Sequence, residues 1–291
     1  MIKYINFTSL NFQFMINFNG ELQHPDNIKL SLENRAFKYG DAIFETVKVS
    51  FDKVIFWEDH YFRLMSSMRM LRMKIPMEFT LEFLEKEILK TVSVQKKANS
   101  YRIRLNIYRK DGGLYTPKTN KIDYSIDVKE SSYQIKDTYS LDVYKDFYNY
   151  SGLLSTLKTN NRVLNTLASI FADENDLDNC ILLNEKKGVV EVTNGNIFII
   201  KGNIIKTPAL SEGCIKGIIR SKVIDIILKN KEFTLQETSI SPFEIQKADE
   251  VFITNVIIGI QPVTSYKKKG FKTEIGKKIA NNLSVLQIAG V

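Results

Sequence analysis

Apolar and polar residues alternate along "DAIFETVKVSFDKVIFW", which predicts two strands joined around residues 51–53. The period then lengthens. Leu64, Met65, Met68 and Leu71 in "EDHYFRLMSSMRMLRM" fall at helical spacing, so the strands lead into a helix. "TLEFLEKEILKTV" predicts a second amphipathic helix, with Thr80 as its N-cap and Leu81, Phe83, Leu84 and Ile88 as its buried stripe. Upstream, "MINFNGEL" reads as a strand turning at Asn19 and Gly20, a pair that supplies the positive φ angles of a tight hairpin. Downstream, "SYRIRLNIYR" reads as a strand.

From about 115 to 152 the chain is polar and tyrosine-rich with weak periodicity, and a domain boundary is expected late in this stretch. Beyond it the pattern predicts a helix over 163–175, a strand over 180–183, strands through Ile200 and Ile205, and a helix over 217–229. "FTLQETSI", "VFITNVI" and "GIQPVTSY" continue as strands, and a final helix covers 274–288. No repeat is visible, and many short strands among helices indicate an α/β chain. The expected division is an N-terminal extension (1–14), a small α/β domain (15–130), a linker (131–151) and a larger domain (152–291).

Composition narrows the class of protein. Of 291 residues, 44% are hydrophobic and 25% charged, as in a globular protein, and no apolar run approaches the roughly 20 residues of a bilayer span. The opening residues lack the small-residue cleavage site of a secretory signal, so a cytoplasmic chain without a membrane segment is expected. Cys180 and Cys214 lack metal-type spacing and read as buried free thiols. Only two histidines, His24 and His60, are present, which argues against most zinc sites; no metal is expected. The net charge of +8 is dispersed, and the run 267–269 reads as a solvated turn. An anionic cofactor or substrate therefore accounts for the charge better than a nucleic acid does.

Taken alone, Lys158 before a predicted helix reads as a surface charge, and Glu191 in a period-2 strand as a solvent-facing carboxylate. The words around them change that reading. "NRAFKYGDAIFETVKV", "DHYFRL", "KTNNRVLNTLA", "GVVEVTNGNIFI", "TPALSEGCIKGIIR" and "VFITN…QPV" together resemble the class IV aminotransferases, over residue 15 to about 262. That family comprises branched-chain aminotransferases, D-amino acid aminotransferases and 4-amino-4-deoxychorismate lyases.

The resemblance implies pyridoxal phosphate fold type IV. That fold has a small N-terminal α/β domain and a larger domain with a distorted barrel of mixed strands and helices. It also implies pyridoxal 5'-phosphate as cofactor and a homodimer. Lys158 would carry the cofactor as a Schiff base and move the proton at the reacting carbon, and Glu191 would keep the pyridine nitrogen protonated. Arg63, the backbone N–H groups of Ile218 and Ile219, and Asn255 would hold the phosphate, with Val256 standing where many relatives have threonine. Arg162 occupies the place of a tyrosine found beside the cofactor in many of the transaminases. In this the chain looks more like the lyase subgroup.

Tyr39, Phe44 and Tyr115 match aromatic pocket positions, or serve as core. Arg102 and Arg104, two apart on a strand, would present both guanidinium groups to one face, as carboxylate ligands or as an exposed basic sheet face. The expected activity is conversion of 4-amino-4-deoxychorismate to 4-aminobenzoate and pyruvate. Amino acid transamination to 2-oxoglutarate is the alternative. Leu114, where the better-known lyases often carry a substrate-binding arginine, weighs against the lyase.

Overall fold

The computed structural model describes residues 14–289; the expected extension thus lies, but for Phe14, outside the described residues. In the first part of the chain, β1 (Ile16–Phe18), β2 (Glu21–Gln23), β3 (Ala42–Ser50), β4 (Lys53–Val54), β5 (Ser100–Arg109) and β6 (Ile122–Glu130) form one six-stranded sheet, ordered β2-β1-β6-β5-β3-β4. Its helices are α1 (Arg35–Tyr39), α2 (Trp57–Met70) and α3 (Leu81–Ser93).

β3, β5 and β6 pair antiparallel, so each strand sends alternate side chains to one face. Ile43, Val47, Ile103, Leu105, Ile107 and Ile126 meet Leu64, Met68, Leu84 and Ile88 of the helices in one core. Burying each such side chain contributes about 1.5–3 kcal/mol relative to exposure. Thr80 caps α3, its side chain accepting from the Phe83 N–H.

β6 was not expected, although Ile122, Tyr124, Ile126 and Val128 alternate with polar residues and are all buried. The stretch read as a linker contains a further strand, β7 (Ser140–Val143), because Leu141 and Val143 turn inward while β7 pairs between two other strands.

The rest of the chain runs α4 (Val163–Glu174), β8 (Asn179–Leu183), β9 (Val189–Val192), β10 (Asn196–Lys201), β11 (Ile204–Pro208), α5 (Ile218–Lys229), β12 (Thr234–Thr238), α6 (Pro242–Lys247), β13 (Glu250–Asn255), β14 (Gly259–Val263), β15 (Ser265–Tyr266), β16 (Lys269–Gly270) and α7 (Glu274–Ala289). These strands and β7 form two five-stranded sheets, β12-β11-β10-β13-β14 and β16-β15-β7-β8-β9. The expected barrel is therefore two open sheets among the described residues, with no closed ladder. The chain crosses between them at 193–195 and at Thr264, and Ile181, Val189, Ile197, Ile199, Val251 and Ile253 from both sheets share one core. The crossings and that core hold the faces together, and at the β9 edge the Val189 N–H donates to the Ile240 carbonyl, just past β12, at 2.8 Å. The expected turn at 267–269 is the tip of the β15–β16 hairpin, with Lys267 at φ 53°.

No described helix is long and apolar enough to cross a membrane. Cys180 and Cys214 are both buried free thiols.

Candidate active site

A cavity of about 520 Å3 lies where the first sheet meets the later strands. That size suits a small cofactor together with a substrate. Lys158 enters it on a short segment paired to β3. The Phe44 N–H donates to the Lys158 carbonyl at 2.9 Å, and the Asn160 N–H donates to Ala42 at 3.0 Å. Gly40, at φ 62°, closes α1 just before β3, and a Cβ there would meet the Asn161 side chain at 2.2 Å. Arg162 folds back on the same segment, Nε donating to the Thr159 carbonyl and an Nη2 to that of Leu157. Both carbonyls flank the lysine, so Arg162 fixes the backbone that aims it.

The Lys158 Nζ stands 4.5 Å from the Phe44 ring centroid. Its side chain is only partly buried because it borders the cavity, yet the surrounding protein disfavours the ammonium form. Burial, then Arg63 and Arg162, push its pKa down to about 7 against the pull of Glu45 and Glu191. An amine in this state is a free nucleophile near neutral pH.

Glu191 is buried in β9, contrary to its reading in isolation, and its Oε2 accepts from the Ile215 N–H at 3.0 Å. Burial raises its pKa, and Arg162 opposes the rise. Asn196 holds the Ile215 carbonyl through Nδ2 at 2.9 Å, so the loop before α5 is pinned from both sides. A Cβ on Gly217 would fall 2.1 Å from the Asn196 Oδ1, which explains glycine at the N-cap of α5.

No side chain caps that helix. The N–H groups of Ile218 and Ile219 begin the helix with no carbonyl four residues back and sit at the positive end of its dipole beside the cavity. Arg63 reaches the same place from α2, donating to the Lys216 carbonyl and, through Nε and Nη2, to both oxygens of Glu45. A guanidinium has five N–H donors, so two remain.

Phe44, Arg102, Arg104 and Asn255 also line the cavity. Arg104 stacks on Phe44, its Cζ 3.8 Å from the ring centroid, and Arg102 is exposed beside it, while Tyr101, Ile103 and Leu105 face the core. Asn255 uses its Oδ1 to accept from the N–H groups of Ile257 and Ile258, so that atom shapes the turn. Tyr39 and Tyr115 are not part of the lining within this chain. Their rings meet each other at 5.8 Å, because the Arg35 guanidinium gathers the carbonyls of the 112–115 loop against α1.

Among the lining residues that the sequence did not single out are His60, Thr193 and Asn196. Glu45, behind Arg63, was not singled out either. Its signal was a carboxylate in phase with Ile43 and Val47, on the apolar face of β3.

The donor set can hold a phosphate-bearing pyridine aldehyde. An uncapped helix start and a partly free guanidinium suit the phosphate, a low-pKa amine suits the aldehyde, and a buried carboxylate suits the ring nitrogen. The buried Thr254 Oγ1 and His60 Nε2 have no partner among the described residues. These features define an enzyme that works through such a cofactor.

The chain belongs to the class IV aminotransferases: the sequence profile described as "Amino-transferase class IV" matches residues 42–266. It is 30% identical to a provisionally named branched-chain-amino-acid aminotransferase of Methanocaldococcus jannaschii, over 94% of this chain and 92% of that one. With an aminodeoxychorismate lyase of Vibrio harveyi it shares 26% identity, covering 80% and 86%. The branched-chain aminotransferase of Thermobaculum terrenum in its pyridoxal phosphate form has the same fold, with a TM-score of 0.82 at 19% identity over 94% of each chain. The chain is accordingly a pyridoxal 5'-phosphate enzyme, as members of that family are.

Proposed function

We propose that the enzyme converts 4-amino-4-deoxychorismate to 4-aminobenzoate and pyruvate. Bound at this site, the cofactor withdraws electrons from the substrate carbon that carries the amino group. Lys158 takes the proton from that carbon, Glu191 keeps the pyridine nitrogen protonated, and Arg63 with the start of α5 holds the phosphate. Arg162 keeps Lys158 aimed.

The observation that carries this reading is the basic wall of Arg102 and Arg104. Both line the cavity on one strand face, and Lys48 stands opposite Arg102 across the β3–β5 ladder. A substrate with two carboxylates suits such a wall, and a purely apolar amino acid side chain does not.

Transamination of branched-chain or D-amino acids is the second reading. The relative at 30% identity favours it, and 2-oxoglutarate, also a dicarboxylate, would fit the same wall. Incubation with 4-amino-4-deoxychorismate is expected to give 4-aminobenzoate and pyruvate in equal amounts. Formation of 2-oxo acids from amino acids plus 2-oxoglutarate, with no 4-aminobenzoate from the chorismate derivative, would reverse the ranking.

The same reading includes a homodimer in the cytoplasm, where the two buried thiols stay reduced. Phe37, Leu114, Tyr115 and Val163 are large apolar side chains exposed around Tyr39 and Asn161, and they support a subunit interface here. Light scattering is expected to give twice the chain mass. A monomer at micromolar concentration would remove the dimer from the account.

A further inference from the structure

Glu45, 2% exposed, stands between two partners supplied by α2. Its oxygens accept from Arg63 and, at 2.8 Å, from the Nδ1 of His60, three residues earlier on the same helix and fully buried. Burial alone would raise the Glu45 pKa, but Arg63 and His60 overcome it and hold the group down to about 2. An ionised carboxylate only accepts hydrogen bonds, so the His60 Nδ1 carries the proton in this pair. Burial pushes the His60 pKa down, against Glu45, and leaves the ring neutral with a lone pair on Nε2. That nitrogen has no partner among the described residues, although His60 borders the cavity one helical turn from Arg63.

We propose that His60 is a third anchor of the cofactor phosphate, binding it as an imidazolium and taking a proton from solvent when the phosphate docks, with Glu45 positioning both His60 and Arg63. The inference rests on the reading of Arg63 and the α5 start as the phosphate cradle. Its chemistry follows from the donor count. Nδ1–H is already committed to Glu45, so Nε2 can donate to a phosphate oxygen only after it gains a proton. Glu45 offsets the charge of Arg63, and Arg220 of α5, which also borders the cavity, is paired with Glu237 at 2.7 Å, so a dianionic phosphate is only partly compensated and an imidazolium supplies a further cation. The other charged groups around the ring are Asp59, engaged with Lys222 of α5 at 2.9 Å, and Lys158, whose depressed pKa removes it as a fixed cation.

Nitrogen-15 NMR of the full chain tests this directly, since His24 and His60 are the only histidines and His24→Asn leaves a single imidazole. At pH 8 the unloaded protein is expected to show one protonated and one bare nitrogen. With pyridoxal 5'-phosphate, or with inorganic phosphate alone, both nitrogens are expected to be protonated; with pyridoxal, which lacks the phosphate, the ring is expected to stay neutral. A neutral ring in the phosphate-loaded protein, or the same change with pyridoxal, would overturn the proposal.

His60→Asn keeps a donor toward Glu45 and removes Nε2. It is expected to weaken pyridoxal 5'-phosphate binding about tenfold or more while leaving pyridoxal binding unchanged. Equal weakening of both would instead mark His60 as merely structural. A protein that takes up no pyridoxal phosphate would sink the cofactor reading itself, an outcome distinct from loaded protein with a neutral His60.

Discussion

Lys158→Ala is expected to lower turnover by about ten-thousandfold or more, because one residue supplies both the covalent attachment of the cofactor and the base that moves the proton. The loss should fall on chemistry and not on folding. The lysine ammonium is disfavoured where it sits, at a pKa of about 7, so it stabilises nothing by charge. Because the folded pKa lies below the unfolded value, the unloaded protein bears this cost in full below about pH 7. The cost fades as pH rises toward the unfolded lysine value, about 10.4. The unloaded Lys158→Ala variant is therefore expected to be at least as stable as the parent at pH 6.5. The same pKa predicts that covalent capture of the cofactor by the parent speeds up as pH rises through 7 and then levels off. Stopped-flow absorbance across pH 6–9 reads the profile; a rate flat across that range would contradict the environment assigned to Lys158.

Glu191→Gln is expected to cost about a thousandfold in turnover while leaving cofactor binding largely intact. Glutamine keeps an acceptor for the Ile215 N–H, so the loop before α5 stays pinned, but it cannot hold a proton on the ring nitrogen through charge. Burial raises the Glu191 pKa, so in the unloaded protein its stability contribution is lost as pH rises through that raised value. Glutamine removes this pH dependence, and the unloaded variant is expected to melt no lower than the parent at pH 8. Glu191→Asp should recover part of the activity. Full turnover in Glu191→Gln would mean that the carboxylate does not tune the cofactor.

What could be read from the chain follows the physics of each element. β3 and β5 were legible because one face of each meets the α2 and α3 core, and burial on one side leaves a period-2 signature. β6 carries the same signature and was obscured by the polar, tyrosine-rich text around it. The short helix α6 was also missed, although Ser241, Pro242 and Glu244 make a capping box with proline in the first turn. α1 has only five residues, and its start and stop depend on Asn34 and on the left-handed Gly40 more than on any periodicity.

Within the site, Lys158, Glu191, Arg63, Arg162, Ile218 and Ile219 sit in recognisable words, and all six line one cavity. His60 and Glu45 were missed because their meaning is pairwise: each looks ordinary until β3 and α2 are packed together. Tyr39 and Tyr115 show the converse case. Aromatic residues in family-like words were expected in the pocket or the core, and within this chain the Arg35 clamp on the 112–115 loop sets them against each other, away from the cavity lining.

The central claim is a covalent carbon–nitrogen link between the cofactor and the Lys158 amine. Borohydride reduction of cofactor-loaded protein, followed by peptide mapping, is expected to leave the pyridoxyl label on Lys158, and none on the Lys158→Ala variant. A label fixed to another side chain, or loaded protein from which reduction leaves the cofactor unattached, would contradict it.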